Sequence, residues 1–231
     1  MLPHEIAGES ARVKAQLEIL LGADLVDSPR EAVRLGYEPV RKCTENDVAA
    51  MAGFLAWGMP LRHLRDALCA AGWKVDRSGN FETVRSPDGK VAITSARGDE
   101  KTGTEQMPST ATDKGPRTRK AVSVNRAQLS FDPQIIGTSS TVALLHKDVV
   151  TWFLLHHYDE AAQEIRLELA IPVEFVVSSG AGDDERVVAT HFESRLPLEP
   201  ILLETPEVGE DAEQDEADEE IDVPVSRRTT S

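Results

Sequence analysis

Cysteine is scarce in this chain: Cys43 and Cys69 are the only two in 231 residues. Two thiols cannot build a disulfide framework or supply a four-ligand zinc site, so a reducing, cytoplasmic setting is expected. Long apolar runs are missing as well. Trp152-Phe153-Leu154-Leu155 is among the longest, far below the roughly 20 residues a bilayer-spanning helix needs, so no membrane partner is expected. Met1-Leu2-Pro3-His4-Glu5 has no basic stretch leading into an apolar one, so no signal peptide is expected. Aromatics are thin at 5%, although 40% hydrophobic residues suffice for real cores. No serine sits in a Gly-x-Ser-x-Gly elbow and no glycine-rich phosphate loop is present. The sequence therefore assigns no catalytic residue, no metal site and no cofactor.

What the chain has in excess is negative charge, and it is unevenly placed. Eleven of the 40 acids lie between Glu204 and Asp222 with no Lys or Arg among them, so a net −15 becomes −4 over the remaining residues. A pI of 4.8 is therefore a property of the 204–231 segment, expected to be a disordered acidic tail. The rest is free to present cations to a polyanion.

The first part reads as helices followed by hairpins. Val13, Leu17, Leu20 and Leu21 recur at helical spacing over 10–22. Ser28-Pro29-Arg30-Glu31 starts a second helix, expected to end near Gly36. Thr44-Glu45-Asn46-Asp47 is cap-like and leads into Val48, Met51, Ala52, Leu55 and Ala56. Gly58-Met59-Pro60 is expected to break that helix, with Leu61, Leu64, Leu68 and Ala71 striping the next and Gly72 capping it. Strands are then predicted over 73–77, 81–85 and 90–94, with turns at Ser78-Gly79-Asn80 and Ser86-Pro87-Asp88-Gly89.

Residues 98–120 are rich in Gly, Thr, Ser, Pro and charge, the composition of a flexible linker. Beyond them Ile165, Leu167, Leu169, Ile171, Val173 and Phe175 alternate with Arg166, Glu168 and Glu174. Val149 to Tyr158 forms a partner strand across the polar 159–164 stretch, and Leu129, Phe131, Val142, Leu144 and 187–192 give shorter strands. Gly180 to Asp184 reads as an exposed loop. Pro172 cannot donate to a ladder, which marks an edge or a bulge. The expected fold class is α+β. Its parts are a helical domain with a three-stranded antiparallel meander over 1–97, the linker over 98–120, a separate antiparallel β domain over 121–203, and the tail.

Leu55 to Leu68, with its Gly58 turn, leucine stripe and Arg62-x-x-Arg65 pair, resembles a helix-turn-helix, and the hairpins of 73–94 stand where a wing would. This resemblance of residues 44–94 to winged helix-turn-helix domains implies a second helix that enters the major groove. It would present Arg62, His63 and Arg65, with Lys74, Arg77, Arg85 and Lys90 toward phosphates. Ala71-Gly72-Trp73 and Pro87-Asp88-Gly89 are also similar to small mRNA-interferase toxins built on a double-stranded-RNA-binding fold. Those toxins carry a histidine after the hairpin glycine, where this chain has Asn80-Phe81, which implies at most a non-catalytic relative. Lys114, Arg117, Arg119, Lys120 and Arg126 add a basic run without acids.

The expected function is a non-enzymatic binding or accessory protein that engages DNA, RNA or a partner handling them. Its candidate residues are Arg62, Arg65, Lys74, Arg77, Arg117, Arg119 and Lys120. One alternative is a metal-dependent or RNase-like nuclease using Asp76, Asp88 and Lys90, which requires both carboxylates to converge on one ion. The other is a pure protein-interaction module pairing through the β domain near Pro172. His156 and His157, adjacent on a strand, face opposite sides and cannot clamp one metal.

Overall fold

The computed structural model describes residues 3–78, 81–112, 116–130, 149–179 and 185–203. The elements are α1 (Pro3–Leu21), α2 (Ser28–Arg41), α3 (Met51–Ala70), β1 (Lys74–Asp76), β2 (Thr83–Arg85), β3 (Val91–Arg97), α4 (Pro116–Ser130), β4 (Val150–Asp159), β5 (Glu164–Ser179) and β6 (Glu185–Leu202), with a 3-10 turn at Ala23–Leu25. The fold is mixed α+β. No helix among the described residues is long and apolar enough to cross a membrane.

The strands form one six-stranded sheet in sequence order. The meander and the long hairpins, expected as separate domains, are joined because β3 pairs with β4 in parallel from Val91–Val150 to Arg97–His156. Every other neighbouring pair in the described sheet is antiparallel. On one face α1–α3 bury Leu17, Val33, Leu64 and Leu68 against Ile93, Leu154, Leu167 and Leu169. Each fully buried leucine contributes about 2 kcal/mol of transfer free energy. On the other face Val122 of α4 packs with Ala96, Phe153, Leu155 and Phe192.

Several expectations hold locally. Gly72 ends α3 at φ +91, with Trp73 N–H donating to Leu68 O at 3.1 Å and Gly72 N–H to Cys69 O at 3.0 Å. These are the two bonds of a Schellman cap. Gly89, at φ +74, closes the Ser86–Gly89 turn with a 2.9 Å bond. The Asp159–Glu164 connection joins β4 and β5 as a hairpin.

Other expectations are corrected. Gly58-Met59-Pro60 is not a turn, because α3 runs unbroken through it with Pro60 inside. Helix α2 likewise continues past Gly36 to Arg41. The two departures have one cause: α2 and α3 cross where Pro60 lies on Gly36, and a Cβ at Gly36 would come within 2.5 Å of the Pro60 nitrogen. Glycine is there for close approach and not as a cap, and the contact offsets part of the roughly 3 kcal/mol cost of an internal helix proline. Thr44–Asp47 closes a turn of its own, Thr44 N–H donating to Asp47 Oδ2 at 2.8 Å, and the helix starts later at Met51.

The stretch expected as a linker is built into the protein. Thr102 and Thr110 are fully buried. Thr110 N–H donates to Ala189 O, and Ala189 N–H to Thr110 Oγ1, both at 3.0 Å. Arg195 donates to the Thr104 and Gln106 carbonyls at 2.9 Å each and pairs with Glu168 at 2.6 Å. Glu168, on the face opposite the Ile165–Phe175 row, is therefore buried beneath 98–112. Burial pushes its carboxyl up from the ordinary range while Arg195 opposes the shift.

Leu129, expected in a strand, lies in α4. Pro172 lies in β5, an interior strand, and the register shifts on both sides of it. The bulge expectation holds and the edge does not. β4–β5 pairing stops at Phe153–Ala170. Beyond that point Asn125 of α4, fully buried, bridges the gap: its Nδ2 donates to Thr151 O (2.8 Å) and Pro172 O (3.0 Å), and its Oδ1 accepts from Thr151 N–H (2.9 Å). The strands proposed at Phe131, Val142 and Leu144, the 180–184 loop and the 204–231 tail lie outside the described residues, as do Gly79 and Asn80 of the first turn.

Substituting Gly36→Ala should destabilise the protein by about 1–3 kcal/mol, the usual cost of overpacking a tight contact. Equilibrium denaturation of the full chain checks this, and an unchanged midpoint would refute the crossing.

Candidate functional site

Some of the cations expected to read nucleic acid are engaged within the fold. Arg65 is nearly buried. Its Nη2 lies 2.8 Å from Glu82 Oε2, and its Nε and Nη2 donate to Thr83 O at 3.2 and 2.9 Å, so it ties α3 to the start of β2. Arg77 shares the same Glu82 at 3.5 Å, and Arg85 pairs with Asp76 at 2.8 Å. Arg62 is exposed and stands 4.0 Å from Asp66, one helical turn on. With α3 continuous, no turn sets off a second helix to carry Arg62 and Arg65 into a groove. Lys74 is exposed on β1. On α4, Arg119 and Lys120 are exposed, and the helix holds no acid. Arg117 stands in its first turn, with its side chain outside the described residues.

The two aspartates of the nuclease alternative do not converge. Asp76 ends β1 opposite Thr83, whereas Asp88 lies in the turn beyond Arg85, at the other end of the β1–β2 pair. Each serves its own turn. Asp76 Oδ1 accepts from Ser78 N–H (2.9 Å) and Oγ–H (2.6 Å), and Asp88 Oδ1 accepts from Ser86 Oγ–H (2.5 Å) and Lys90 N–H (3.1 Å). These donors hold both carboxyls below the ordinary range, Ser78 and Ser86 being the largest influences.

The sheet also carries a buried polar chain that the sequence did not signal. Tyr37 of α2 lies 2.9 Å from His156 Nδ1, and Ser95 Oγ lies 3.0 Å from His156 Nε2. All three side chains are buried. Burial pushes the Tyr37 phenol up. The chain is a strut that joins α2, β3 and β4.

A hollow of about 440 Å³ opens beside this strut. Its cause is the shortness of β2. The β2–β3 ladder stops at Val84–Ile93, and the chain before β2 veers off, held by Thr94 Oγ1 donating to Glu82 O at 2.8 Å. Strand alternation turns the backbone N–H and C=O of Ser95 toward the vacated side. Phe54 and Trp57 of α3 form one wall, Phe81 another, Phe153 a floor, and Arg97 and Thr118 the rim. Phe54 is 66% exposed and Trp57 42%. A second hollow shares Phe81 and continues along Lys120 to Asp76 and Arg85. An apolar cleft with a few converging polar groups is the form binding sites commonly take. None of its aromatic wall was singled out from sequence. The legible sign was weak: Phe54 and Trp57 lie outside the apolar stripe of their helix.

Tyr37→Phe leaves His156 Nδ1 without its phenol partner and should cost about 1–3 kcal/mol, read as a shift in denaturant midpoint; no shift would remove the strut. For Asp88, whose folded pKa is lowered, the stabilisation is present above the ordinary carboxylate range and is lost as pH falls through the lowered value. The stability gap between wild type and Asp88→Asn should therefore be largest near neutrality and close on acidification. A gap independent of pH would contradict that assignment. Compared with protein-family models, with curated proteins and with solved structures, the chain finds no match.

Proposed function

We propose that this protein is a non-enzymatic binding module that takes an extended peptide segment of a partner protein into the groove between α3 and the uncovered edge of β3. One observation carries the reading: among the described residues no strand pairs with β3 at Ser95 on the β2 side, and this edge lies directly beside the exposed aromatic rings of Phe54 and Trp57. An extended segment added there gains main-chain hydrogen bonds from the edge, and its alternate side chains meet the aromatic wall. The engaged arginines favour a protein ligand over a nucleic acid at this end of the molecule. A reducing, cytoplasmic setting accords with the free thiols of Cys43 and Cys69.

Selection from a random peptide library on the immobilised full chain tests this. Enriched sequences should carry apolar residues at every second position, and their affinity should fall at least tenfold in Phe54→Asp and Trp57→Ala. Failure to enrich any sequence, or equal binding by those variants, would overturn the reading.

A second reading, polyanion binding, is favoured by α4, where Arg119 and Lys120 are exposed on a helix without acids. Binding to DNA or RNA homopolymers should then weaken steeply with salt. Arg119→Glu and Lys120→Glu should each reduce the slope by about one. Salt-insensitive or absent binding would dismiss it.

A further inference from the structure

We infer that the groove has an occupant within this chain, the segment Glu219–Val225, which competes there with the partner peptide; this rests on the groove reading above. The segment lies outside the described residues, and its sequence suits the site in three independent ways.

The first is its pattern. In Glu219-Glu220-Ile221-Asp222-Val223-Pro224-Val225 three β-branched residues stand at every second position. In an extended chain Ile221, Val223 and Val225 form one row, fit to lie against Phe54 and Trp57. Their backbone groups also point to one side, so Val223 can pair with the Ser95 edge. Pro224, which has no N–H, then faces away from β3, the position proline tolerates in an edge strand. It also blocks a further strand from adding outside.

The second is charge. Glu219, Glu220 and Asp222 alternate with that apolar row or precede it. Arg97 lines the groove, Arg119 and Lys120 lie on the helix that supplies Thr118, and none of these three makes an ion pair among the described residues. The acidic segment meets a basic rim.

The third is reach. β6 ends at Leu202, opposite Glu164, which pairs with Asp159 at the end of β4. β4 runs parallel to β3, so the chain leaves the sheet at the same end as the groove. Three strand spacings separate them, about 15 Å. The seventeen residues from Leu203 to Glu219 can span up to ~55 Å. A tether of this length holds its segment at an effective concentration on the order of millimolar, enough for a weak contact to keep the groove filled.

The test titrates a fluorescent peptide of residues 216–228 into the full chain and into a full chain carrying Ile221→Asp and Val223→Asp. The double variant should bind the peptide at least tenfold more tightly than wild type, with binding lost again when Trp57→Ala is added. The Ser95 amide should exchange faster in the double variant than in wild type. Equal affinity for both chains would overturn the inference while leaving the groove reading intact. The same separation follows if library-selected peptides bind but this one does not, whereas failure of both peptides would remove both proposals. If protection of Ser95 in wild type falls away on hundredfold dilution, the segment comes from a second copy and the assignment within one chain is overturned.

Discussion

The parallel ladder between β3 and β4 is the constraint on which the rest of this structure depends. A parallel neighbour cannot be reached by a tight hairpin, so the chain must cross over the sheet before re-entering it. The crossover here begins with 98–112 and carries α4. It covers the face that α1–α3 leave open, and the sheet becomes the middle layer of a protein with a core on each side. The same ladder gives β3 a complete partner on one side. On the other, β2 is three residues long and stops at Ile93. The groove is the remainder: an edge that one neighbour satisfies and the other abandons.

Layering a polar crossover on a sheet puts hydrogen-bonding groups into the interior, and three groups of side chains meet many of them. Asn125 replaces the ladder bonds that Pro172 cannot donate. Arg195 neutralises Glu168 and holds two carbonyls of the crossover. The Tyr37–His156–Ser95 strut fastens α2 to the two strands of the parallel ladder. Leaving any one of these groups buried without its partner costs about 1–3 kcal/mol. Such groups therefore fix which surfaces meet more than they add to net stability.

Legibility in the sequence varied with the range of the interaction. The α+β class, the Schellman cap at Gly72, the Ser86–Gly89 turn and the β4–β5 hairpin were readable because each rests on a few neighbouring residues. Gly36 and Gly58-Met59-Pro60 were misread for the opposite reason. Local rules assign glycine and proline to helix ends, whereas here Gly36 and Pro60 serve a contact between two helices. The 98–120 stretch has a linker's composition, yet Thr110 and the Thr104 and Gln106 carbonyls are bonded by Ala189 and Arg195, far away along the chain. The candidate arginines were legible as charges, but their carboxylate partners on β1 and before β2 were not.

By itself the amino-acid order determined the helical stripes, the alternation of the long strands, the tight turns and the concentration of eleven acids in the 204–222 stretch. All of these follow from backbone geometry and side-chain spacing within a few residues. Tertiary structure alone decided that one sheet unites both halves, that Arg65 and Arg85 are spent on ion pairs, and that Phe54 and Trp57 flank an open strand edge. Those outcomes depend on which distant segments pair, and side-chain period does not encode strand partners.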